Sequence, residues 1–252
     1  MRPKVVVITG GYGGIATATA RQLAAAGLQV VLAVRAVRPE RSAAFAGIAG
    51  IRPLVLSCDV TRPGAVERFF ARVESRCGPV EVLVNNAATM RPIGPIGMVD
   101  PRAWLGCIEA GLGGAYLCSQ RVLPGFRDRD HGTIINLASG AAYHALPGWS
   151  AYCCAKAGLA MLTACLTAET TNTGIRIYGL DPGMVRTDMV RDALREKVNR
   201  VAALDPETFS DPDEPARVIH WLSEQRPADL SGREVLVTDS AIRGRAGLPG
   251  TG

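Results

Sequence analysis

The strand, glycine-rich turn and helix that open this 252-residue chain constrain its fold more than any other feature. Residues 4–8, Lys-Val-Val-Val-Ile, are apolar and rich in β-branched side chains, which predicts a buried strand. Residues 9–16 read Thr-Gly-Gly-Tyr-Gly-Gly-Ile-Ala, and the helical stretch after them ends at Gly27. In such a unit Gly10 allows the tight turn, Gly14 lets a pyrophosphate approach the backbone, and the helix N-terminus faces the phosphates. The unit therefore predicts a nucleotide site.

Apolar, strand-like runs and helical stretches alternate through the rest of the chain. A helix is expected to begin at Asp100-Pro101, where a capping carboxylate precedes a proline, and to run to about Phe126. Further strands are predicted at residues 29–34, 54–58, 80–84, 133–138, 175–180 and 234–238. This order predicts an α/β fold: a Rossmann-like, doubly wound parallel sheet of about seven strands with helices on both faces.

The chain is predicted to form a single dinucleotide-binding catalytic domain over residues 1–252. Residues 187–213 make the one long insertion without a predicted strand, and a segment of this length in a compact domain is usually functional. We expect it to be a lid over the substrate. Residues 241–252 are glycine-rich, and we expect a flexible tail there.

Tyr152 and Lys156 are four residues apart, so that a helix places both side chains on one face. A phenol normally keeps its proton to pH ~10, and a neighbouring ammonium lowers that pKa. The pair is therefore a candidate proton donor or acceptor at physiological pH. Ser139 ends an apolar run, and its hydroxyl is suited to bond the substrate oxygen that Tyr152 would protonate. Taken alone, a Tyr-x-x-x-Lys pattern is more often an ordinary helix face.

Five motifs in chain order resemble those of the short-chain dehydrogenase/reductase family, in its Ser-Tyr-Lys form. Residues 9–16 are similar to the cofactor turn of that family, with Ala16 in place of its last glycine. The other four are the adenine-contacting segment Cys58-Asp59-Val60, the strand-supporting segment Asn85-Asn86-Ala87-Ala88, the set Ser139, Tyr152 and Lys156, and the nicotinamide-covering segment at residues 182–187. The resemblance extends over nearly the whole chain.

The resemblance implies an oxidoreductase that moves a hydride between a nicotinamide and a ketone or secondary alcohol. Tyr152 would exchange the proton with the substrate oxygen, Lys156 would lower the pKa of Tyr152 and hold the nicotinamide ribose, and Ser139 would orient the carbonyl. The cofactor-binding positions that it implies are Gly10, Tyr12, Gly14, Ile15, Arg35, Asp59, Val60, Asn86, Ala87, Tyr152, Lys156, Pro182, Gly183, Val185 and Thr187.

The end of the second predicted strand bears on the choice of cofactor. In this architecture an acidic residue there binds the ribose 2′-hydroxyl, whereas an arginine accommodates a 2′-phosphate. Val34 occupies the place of the acid and Arg35 follows it, which favours NADP(H) over NAD(H). Two observations weigh against this interpretation. Arg35 is also compatible with a solvated loop residue, and Gly13 stands where NADP-dependent relatives often carry a basic residue.

Apolar side chains flank the catalytic positions and predict a site for a cyclic or otherwise apolar ketone or alcohol. The residues expected to line this substrate site are His144, Leu146, Trp149, Met184 and Met189. Basic residues of the predicted lid, among them Arg191 and Lys197, would attract an anionic substrate or an acidic carrier. A solvated helix face explains these charges more simply.

The long helix that begins at Asp100 departs from the family pattern at Gly111, where a catalytic asparagine usually stands. Gly111 keeps the backbone carbonyl that helps to hold a water between the lysine and solvent, but it lacks the side chain. Gly111, Gly113 and Gly114 each weaken a helix interior by about 1 kcal/mol relative to alanine. Two alternatives remain open: a non-redox enzyme such as a dehydratase or cyclase, or an NADP-binding protein without turnover. The intact Ser-Tyr-Lys set favours turnover.

The composition indicates which kinds of binding partner, metal site and cellular location to expect for this chain. The net charge is +5, but the arginines are spread along the chain without an aromatic-basic stripe, so we expect small-molecule substrates and no nucleic acid. Seven cysteines without a Cys-x-x-Cys pair and three scattered histidines predict buried thiols and no metal site. No run of about eighteen apolar residues predicts a membrane span, and no signal peptide precedes the first strand, so a cytoplasmic enzyme is expected.

The resemblance to the short-chain dehydrogenase/reductase family also implies that the chain forms a homo-oligomer. The helices that begin at Asp100 and near Tyr152 are similar to the pair through which relatives form oligomers, and we expect a homodimer or homotetramer. An apolar stripe at helical spacing is compatible either with such a contact or with the core. It consists of Leu159, Leu162, Thr163 and Leu166.

Overall fold

The structure is a computed structural model that describes residues 2–48 and 50–250. In these residues, seven parallel strands form a sheet in the order β3-β2-β1-β4-β5-β6-β7. The strands are β1 (Val5–Thr9), β2 (Gln29–Val34), β3 (Leu54–Ser57), β4 (Val80–Asn85), β5 (Gly132–Leu137), β6 (Ile175–Asp181) and β7 (Glu234–Leu236). The predicted α/β, Rossmann-like sheet is confirmed.

Helices alternate with the strands along the chain. The α-helices are α1 (Gly14–Ala25), α2 (Pro39–Ser42), α3 (Pro63–Cys77), α4 (Pro101–Ile108), α5 (Gly114–Asp128), α6 (Ser150–Glu169), α7 (Asp188–Arg195), α8 (Asp213–Gln225) and α9 (Ser240–Arg245). Short 3-10 turns lie at Ala43–Phe45, Gly140–Ala142, Arg200–Ala203, Pro206–Thr208 and Ala228–Leu230.

Both faces of the sheet are buried, and β1 shows why. Val6 and Ile8 lie in an apolar cluster with side chains of α1 and α8, whereas Val5 and Val7 lie in a second cluster with side chains of α3 and α5. Burial stabilises each such side chain by about 1.5–3 kcal/mol relative to exposure. A strand that is covered on both faces needs apolar residues at every position, which explains the unbroken apolar run.

The sheet has a topological switch point at β1, which pairs with β2 on one side and with β4 on the other. In open parallel sheets such a point leaves a crevice at the carboxyl ends of the two strands, where ligands bind. Thr9 ends β1 and Asn85 ends β4. The glycine-rich turn and the Asn-Asn-Ala motif therefore meet at this crevice.

The long helix predicted from Asp100 to about Phe126 is present, but it is not continuous. It consists of α4, a π-helical turn at Glu109–Gly113, and α5. Asp100 caps α4 as predicted, because its carboxylate accepts a backbone hydrogen bond at 2.8 Å. Such π turns are frequent at functional sites, and this one packs against α6, which carries Tyr152.

Close packing accounts for two of the three glycines in this region. A Cβ at Gly114 would lie 2.6 Å from Val60 Cγ2, so glycine is needed for the approach of that side chain. A Cβ at Gly111 would lie 3.3 Å from the Cβ of Ala155 on α6, which is a tight contact. Nothing in the structure explains Gly113. The sequence offers no sign of these contacts, since both partners are distant along the chain.

The predicted lid, residues 187–213, is built from α7 and two 3-10 turns. Thr187 caps α7, because its hydroxyl accepts a hydrogen bond from Val190 N at 3.3 Å. The segment returns toward the sheet through Ser210, whose backbone N donates to Met184 O at 2.9 Å. Its function as a lid stays a prediction.

The structure differs from the sequence prediction at the C-terminus. Residues 241–250, expected to be part of a flexible tail, contain most of α9, and Ile242 and Leu248 belong to the apolar cluster around α8. The buried guanidinium of Arg243 lies 2.6 Å from Glu214 Oε2 and ties α9 to α8. Residues 251 and 252 lie outside the described residues.

Within the described residues, α6 is the one helix that is long and apolar enough to cross a membrane, with a mean hydropathy of 1.4 over an 18-residue window. A core helix of a soluble protein passes the same test. Leu159, Thr163 and Leu166 are 2%, 6% and 6% exposed, and Leu162 is partly buried against the apolar cluster of Leu166, so the predicted stripe faces the core. Met161 is exposed on another face of α6.

Candidate active site

The glycine-rich turn is locked to the end of β4. Gly10 has a φ of +66°, and a Cβ there would lie 2.9 Å from Ala87 Cα, so only glycine fits. The Asn86 side chain donates to Thr9 O at 2.9 Å, and the Thr9 hydroxyl accepts from the backbone N of Asn86 and of Ala87, each at 3.0 Å. The Asn-Asn-Ala motif thus supports the turn directly. Gly13 N closes the turn on Gly10 O at 2.9 Å.

Gly14 makes room for a side chain from the predicted lid. A Cβ at Gly14 would lie 2.9 Å from Thr187 Cγ2. Gly14 is predicted to let a pyrophosphate approach the backbone, and its contact with Thr187 is a second reason for a glycine at this position. The start of α7 and the start of α1 are therefore packed together at the crevice.

A cavity of about 350 Å³ extends from the glycine-rich turn to the catalytic pair. The predicted site residues that line it are Gly10, Tyr12, Gly14, Ile15, Arg35, Asn86, Tyr152, Lys156, Pro182, Thr187 and Met189. These residues come from widely separated parts of the chain. The topology of the sheet therefore brings the two halves of the predicted site into one continuous space.

Other lining residues are not among the site residues predicted from the sequence, and Arg41 is the most informative of them. Its guanidinium carbon lies 5.8 Å from the centroid of the Tyr12 ring, within the range of a cation–π contact. Arg35, Arg38 and Arg41 recur every third residue after β2, and this basic spacing was the signal available. The remaining ones are Gly11, Gly13, Val34, Ala88, Leu137, Ala138 and Asp188.

Several predicted cofactor residues lie outside this lining. Hydrogen bonds from Thr61 hold the pKa of Asp59 below its ordinary value. Val60 is buried beneath α5, and Val185 is 2% exposed and bridges to the returning lid segment at Ser210. The others outside the lining are Ala87, which supports the turn, and Gly183, which follows β6.

The catalytic candidates come together at the far end of the cavity. Lys156 Nζ lies 5.6 Å from the centroid of the Tyr152 ring and donates a hydrogen bond to Leu137 O at the end of β5. The hydroxyl of Ser139 accepts a hydrogen bond from Ala141 N at 3.2 Å, and its proximity to Tyr152 opposes the rise in the pKa of that phenol. The predicted juxtaposition of the three side chains is therefore present.

The electrostatics of the pair differ from the sequence prediction. Burial raises the pKa of Tyr152 to about 12 and lowers the pKa of Lys156 to about 8, because each charged form loses its hydration. The expectation that Lys156 would lower the pKa of Tyr152 neglected this burial. With these values Tyr152 is a neutral phenol and Lys156 is largely an ammonium at neutral pH.

Asp181, at the end of β6, is a charged neighbour that the sequence analysis missed. Burial dominates the pKa of Lys156, and the carboxylate of Asp181 is the strongest opposing influence. Asp181 Oδ1 accepts a hydrogen bond from Gly183 N at 2.9 Å, which fixes the side chain. An acid at the end of a predicted strand carries no separate signal in a single sequence.

The five predicted substrate residues are not all in one place. Met189 lines the main cavity, whereas His144 and Leu146 line a separate depression of about 370 Å³. Trp149 is buried, and its ring centroid lies 6.3 Å from that of Tyr152 in an edge-on arrangement. Met184 lies on the segment after β6, where its carbonyl oxygen accepts a hydrogen bond from Ser210 N.

Comparisons with a family model and with known sequences point to the same protein family. A family model described as short chain dehydrogenase matches residues 4–198. The chain is 34% identical over 235 residues to acetoacetyl-CoA reductase of Rhizobium meliloti, an alignment that covers 92% of this chain and 95% of the relative. It is 32% identical over 230 residues to cis-4-hydroxycyclohexanecarboxylate dehydrogenase of Sinomonas cyclohexanicum, covering 91% and 92%.

Solved structures agree with the sequence comparison. Levodione reductase superposes with a TM-score of 0.85 at 26% identity, covering 94% of this chain and 96% of the other. A variant of actinorhodin polyketide ketoreductase with NADPH superposes with a TM-score of 0.83 at 28% identity, covering 94% and 97%. Together with the fold, these similarities mean that the chain belongs to the short-chain dehydrogenase/reductase family of enzymes.

Proposed function

We propose that this protein is an NADP(H)-dependent carbonyl reductase or alcohol dehydrogenase, acting on a ketone or secondary alcohol that is cyclic or otherwise apolar. One observation carries the proposal: Tyr152 and Lys156 close one end of a cavity whose other end is the glycine-rich turn. A dinucleotide that spans this cavity would bring its reactive ring to the proton donor.

The residues at the turn fit such a cofactor. Helix α1 begins at Gly14 without a side-chain cap, so its first backbone N–H groups remain available to an anion. Gly10, Gly11, Gly13 and Gly14 line the cavity at that point, and their lack of side chains leaves room for a phosphate. When bound, the nicotinamide supplies or accepts the hydride.

The side chains at the other end supply proton transfer and polarisation. Ser139 donates a hydrogen bond to the substrate oxygen and orients the carbonyl. Tyr152 is protonated at neutral pH because its pKa is about 12, so it is ready to donate a proton to the oxygen during reduction. The ammonium of Lys156 stabilises the negative charge that develops on Tyr152 as the proton leaves.

The rate of ketone reduction should depend on the charge of Lys156. The ammonium is present below a pH of about 8 and is lost above it, whereas Tyr152 keeps its proton to about pH 12. We expect kcat/KM to be level below the lower value and to fall by about tenfold per pH unit above it. A pH profile checks this, with NADPH affinity measured at each pH as the control. A profile that stays flat well above pH 8 contradicts the proposed role of Lys156.

The preference for NADP(H) is supported by two arginines at the mouth of the cavity, Arg35 and Arg41. The Tyr12 hydroxyl lies 2.8 Å from Ser42 Oγ and accepts a hydrogen bond from Arg38 N at 2.9 Å. The glycine-rich turn, which carries Tyr12, therefore holds the segment that carries Arg41 in place. Two guanidinium groups suit a 2′-phosphate, and Val34 in place of an acid removes a repulsive charge.

Replacing Arg35 or Arg41 with alanine should weaken binding of 2′,5′-ADP far more than binding of 5′-AMP. The expected loss is about 1.5–3 kcal/mol, the range for a hydrogen bond to a charged group. Isothermal titration calorimetry on both ligands measures it. Arg38→Ala is the matched control, because Arg38 lies on the same segment outside the cavity lining. Equal losses for both ligands would show that neither arginine reads the phosphate.

The reaction itself is tested by NADPH oxidation over a panel of cyclic and linear ketones. The relatives named above are called an acetoacetyl-CoA reductase and a hydroxycyclohexanecarboxylate dehydrogenase, so both acyl and ring ketones belong in the panel. A reductase consumes NADPH with at least one ketone. A non-redox enzyme would change a substrate without changing the cofactor, and a binding protein would consume no NADPH with any carbonyl.

We further propose that the protein is a cytoplasmic homodimer or homotetramer without a nucleic-acid or membrane partner. Large apolar side chains remain exposed on three consecutive helices: Leu105 on α4, Tyr116 on α5 and Met161 on α6. These are the helices for which the sequence resemblance implies an intersubunit contact. Leu159, Thr163 and Leu166 of the predicted stripe do not contribute to the exposed face, because they are buried within the subunit.

A further inference from the structure

A second cavity, of about 450 Å³, is lined by α7 and does not contain the catalytic candidates. One of its walls is α7, and another is formed by Pro206, Glu207 and Phe209. Thr187 lines both this cavity and the main one, so the start of α7 is their shared boundary. The volume is within the range of small-molecule sites. We refer to this space as the α7 cavity.

Contacts within the protein hold the two walls of the α7 cavity together. Arg186 donates a hydrogen bond from Nη1 to Phe209 O at 2.6 Å, and its Nη2 lies 3.3 Å from Asp211 Oδ2. Beside this contact, Ser210 N donates to Met184 O at 2.9 Å. The Phe209 side chain is buried. The shape of the cavity is therefore fixed by the fold of the chain.

Helix α7 presents two parallel rows of side chains to this cavity. Val190 and Leu194 are four residues apart and half-buried, and Arg191 and Arg195, each one residue later, are also four apart. On a helix this spacing gives an apolar row beside a basic row, each spanning about 6 Å. The charged side chains of the whole lining are the basic Arg186, Arg191, Arg195 and Lys197 and the acidic Glu207. The α7 cavity therefore combines an apolar floor with a net positive edge.

The guanidinium groups of the basic row remain able to bind an anion. Arg191 lies 3.1 Å from Asp188, and Arg195 lies 3.2 Å from Asp192. All four side chains are exposed, and ion pairs of this kind contribute little to stability. Either guanidinium can therefore be shared with the carboxylate of a ligand at small cost.

We propose that the α7 cavity binds an amphipathic monoanion, a medium-chain carboxylate. Its hydrocarbon chain lies on Val190, Leu194 and Phe209, and its carboxylate is bound by Arg191 and Arg195. A small inorganic anion would leave the apolar floor unused, and a neutral hydrocarbon would leave the basic row unused. This site is additional to the proposed reductase site and does not depend on it.

The test measures binding to the full chain by isothermal titration calorimetry, with octanoate as the probe. Octanoate should bind at least ~tenfold more tightly than 1-octanol, which lacks the charge, and than acetate, which lacks the chain. Arg191→Gln and Arg195→Gln should each weaken octanoate binding by about tenfold. Leu194→Ala should weaken octanoate and 1-octanol alike, by about threefold or more.

Arg200→Gln is the matched control, because Arg200 lies shortly after α7 but lines a different depression. It makes the same change of charge and should leave octanoate affinity unchanged. Octanoate should also bind when NADPH saturates the protein. Equal affinities for octanoate and 1-octanol, an equal loss in Arg200→Gln and Arg191→Gln, displacement by NADPH, or no saturable binding of octanoate would each overturn the inference. Circular dichroism confirms that each variant is folded.

Discussion

Replacing Tyr152 with phenylalanine should lower kcat by at least ~10²-fold, the range for loss of a general acid. The change removes one hydroxyl from a half-buried ring, so the packing against Trp149 is kept and the fold should be unaffected. Lys156 keeps its hydrogen bond to Leu137 O, and NADPH affinity should stay close to that of the parent. Steady-state kinetics with the best ketone of the panel, together with NADPH titration, measures both quantities.

Tyr116→Phe provides the control for this substitution. Tyr116 is 53% exposed on α5 and lies outside the cavity lining, so the same chemical change there should leave kcat within experimental error. Wild-type turnover by the Tyr152 variant would show that another group donates the proton. A loss of NADPH binding in that variant would place Tyr152 in cofactor binding instead of proton transfer.

The second large effect is expected at Gly10, where alanine meets two obstacles. The backbone φ of +66° is unfavourable for an L-residue by about 1–2 kcal/mol, and a Cβ would lie 2.9 Å from Ala87 Cα, where overpacking costs about 1–3 kcal/mol. Neither obstacle is easily relieved, because the contacted atom is backbone held by the Thr9 hydroxyl. We expect Gly10→Ala to destabilise the protein by about 2–5 kcal/mol and to weaken NADPH binding.

Thermal unfolding measures this prediction, at roughly 2–4 °C in Tm for each kcal/mol in a chain of this size. Gly13→Ala is the matched control in the same turn. Its φ is −68°, and a Cβ there would lie 3.4 Å from Gly10 O, an ordinary contact. The control should lose less than about 1 kcal/mol, the value typical of a helix N-cap change. Equal Tm values for the two variants would contradict the account of the turn.

The sequence predicted what depends on local pattern. The unbroken apolar run of β1 and the four-residue spacing of Tyr152 and Lys156 each follow from the geometry of a single element, and the structure has both. The glycine-rich turn was recognised for the same reason, because a tight turn between a strand and a helix needs Gly10 at that point.

What the sequence did not predict depends on contacts between distant residues. Gly114 is explained only by the approach of Val60, and Gly14 has a protein neighbour in Thr187, far along the chain. The missed Arg41 reaches the cavity because Tyr12 holds its segment. These relations follow from how the elements pack, which a single sequence does not display.

The pKa values of Tyr152 and Lys156 also depend on packing that a single sequence does not display. Spacing alone suggested that Lys156 lowers the pKa of Tyr152, because a helix face brings an ammonium near a phenol. Burial of both groups, which depends on the whole fold, instead raises the pKa of Tyr152 and lowers that of Lys156. Likewise, the stripe that includes Leu159 is assigned to the core only when its surroundings are known.

The central claim is that this protein transfers a hydride between a nicotinamide and a carbonyl carbon, with Tyr152 supplying the proton. The most direct measurement uses NADPH deuterated at C4 of the nicotinamide and follows the label by mass spectrometry and NMR of the product alcohol. The account predicts deuterium on the carbinol carbon with the parent enzyme, and a rate of transfer at least ~10²-fold lower with Tyr152→Phe. Bound NADPH that transfers no deuterium to any ketone of the panel, or equal transfer by parent and variant, would contradict it.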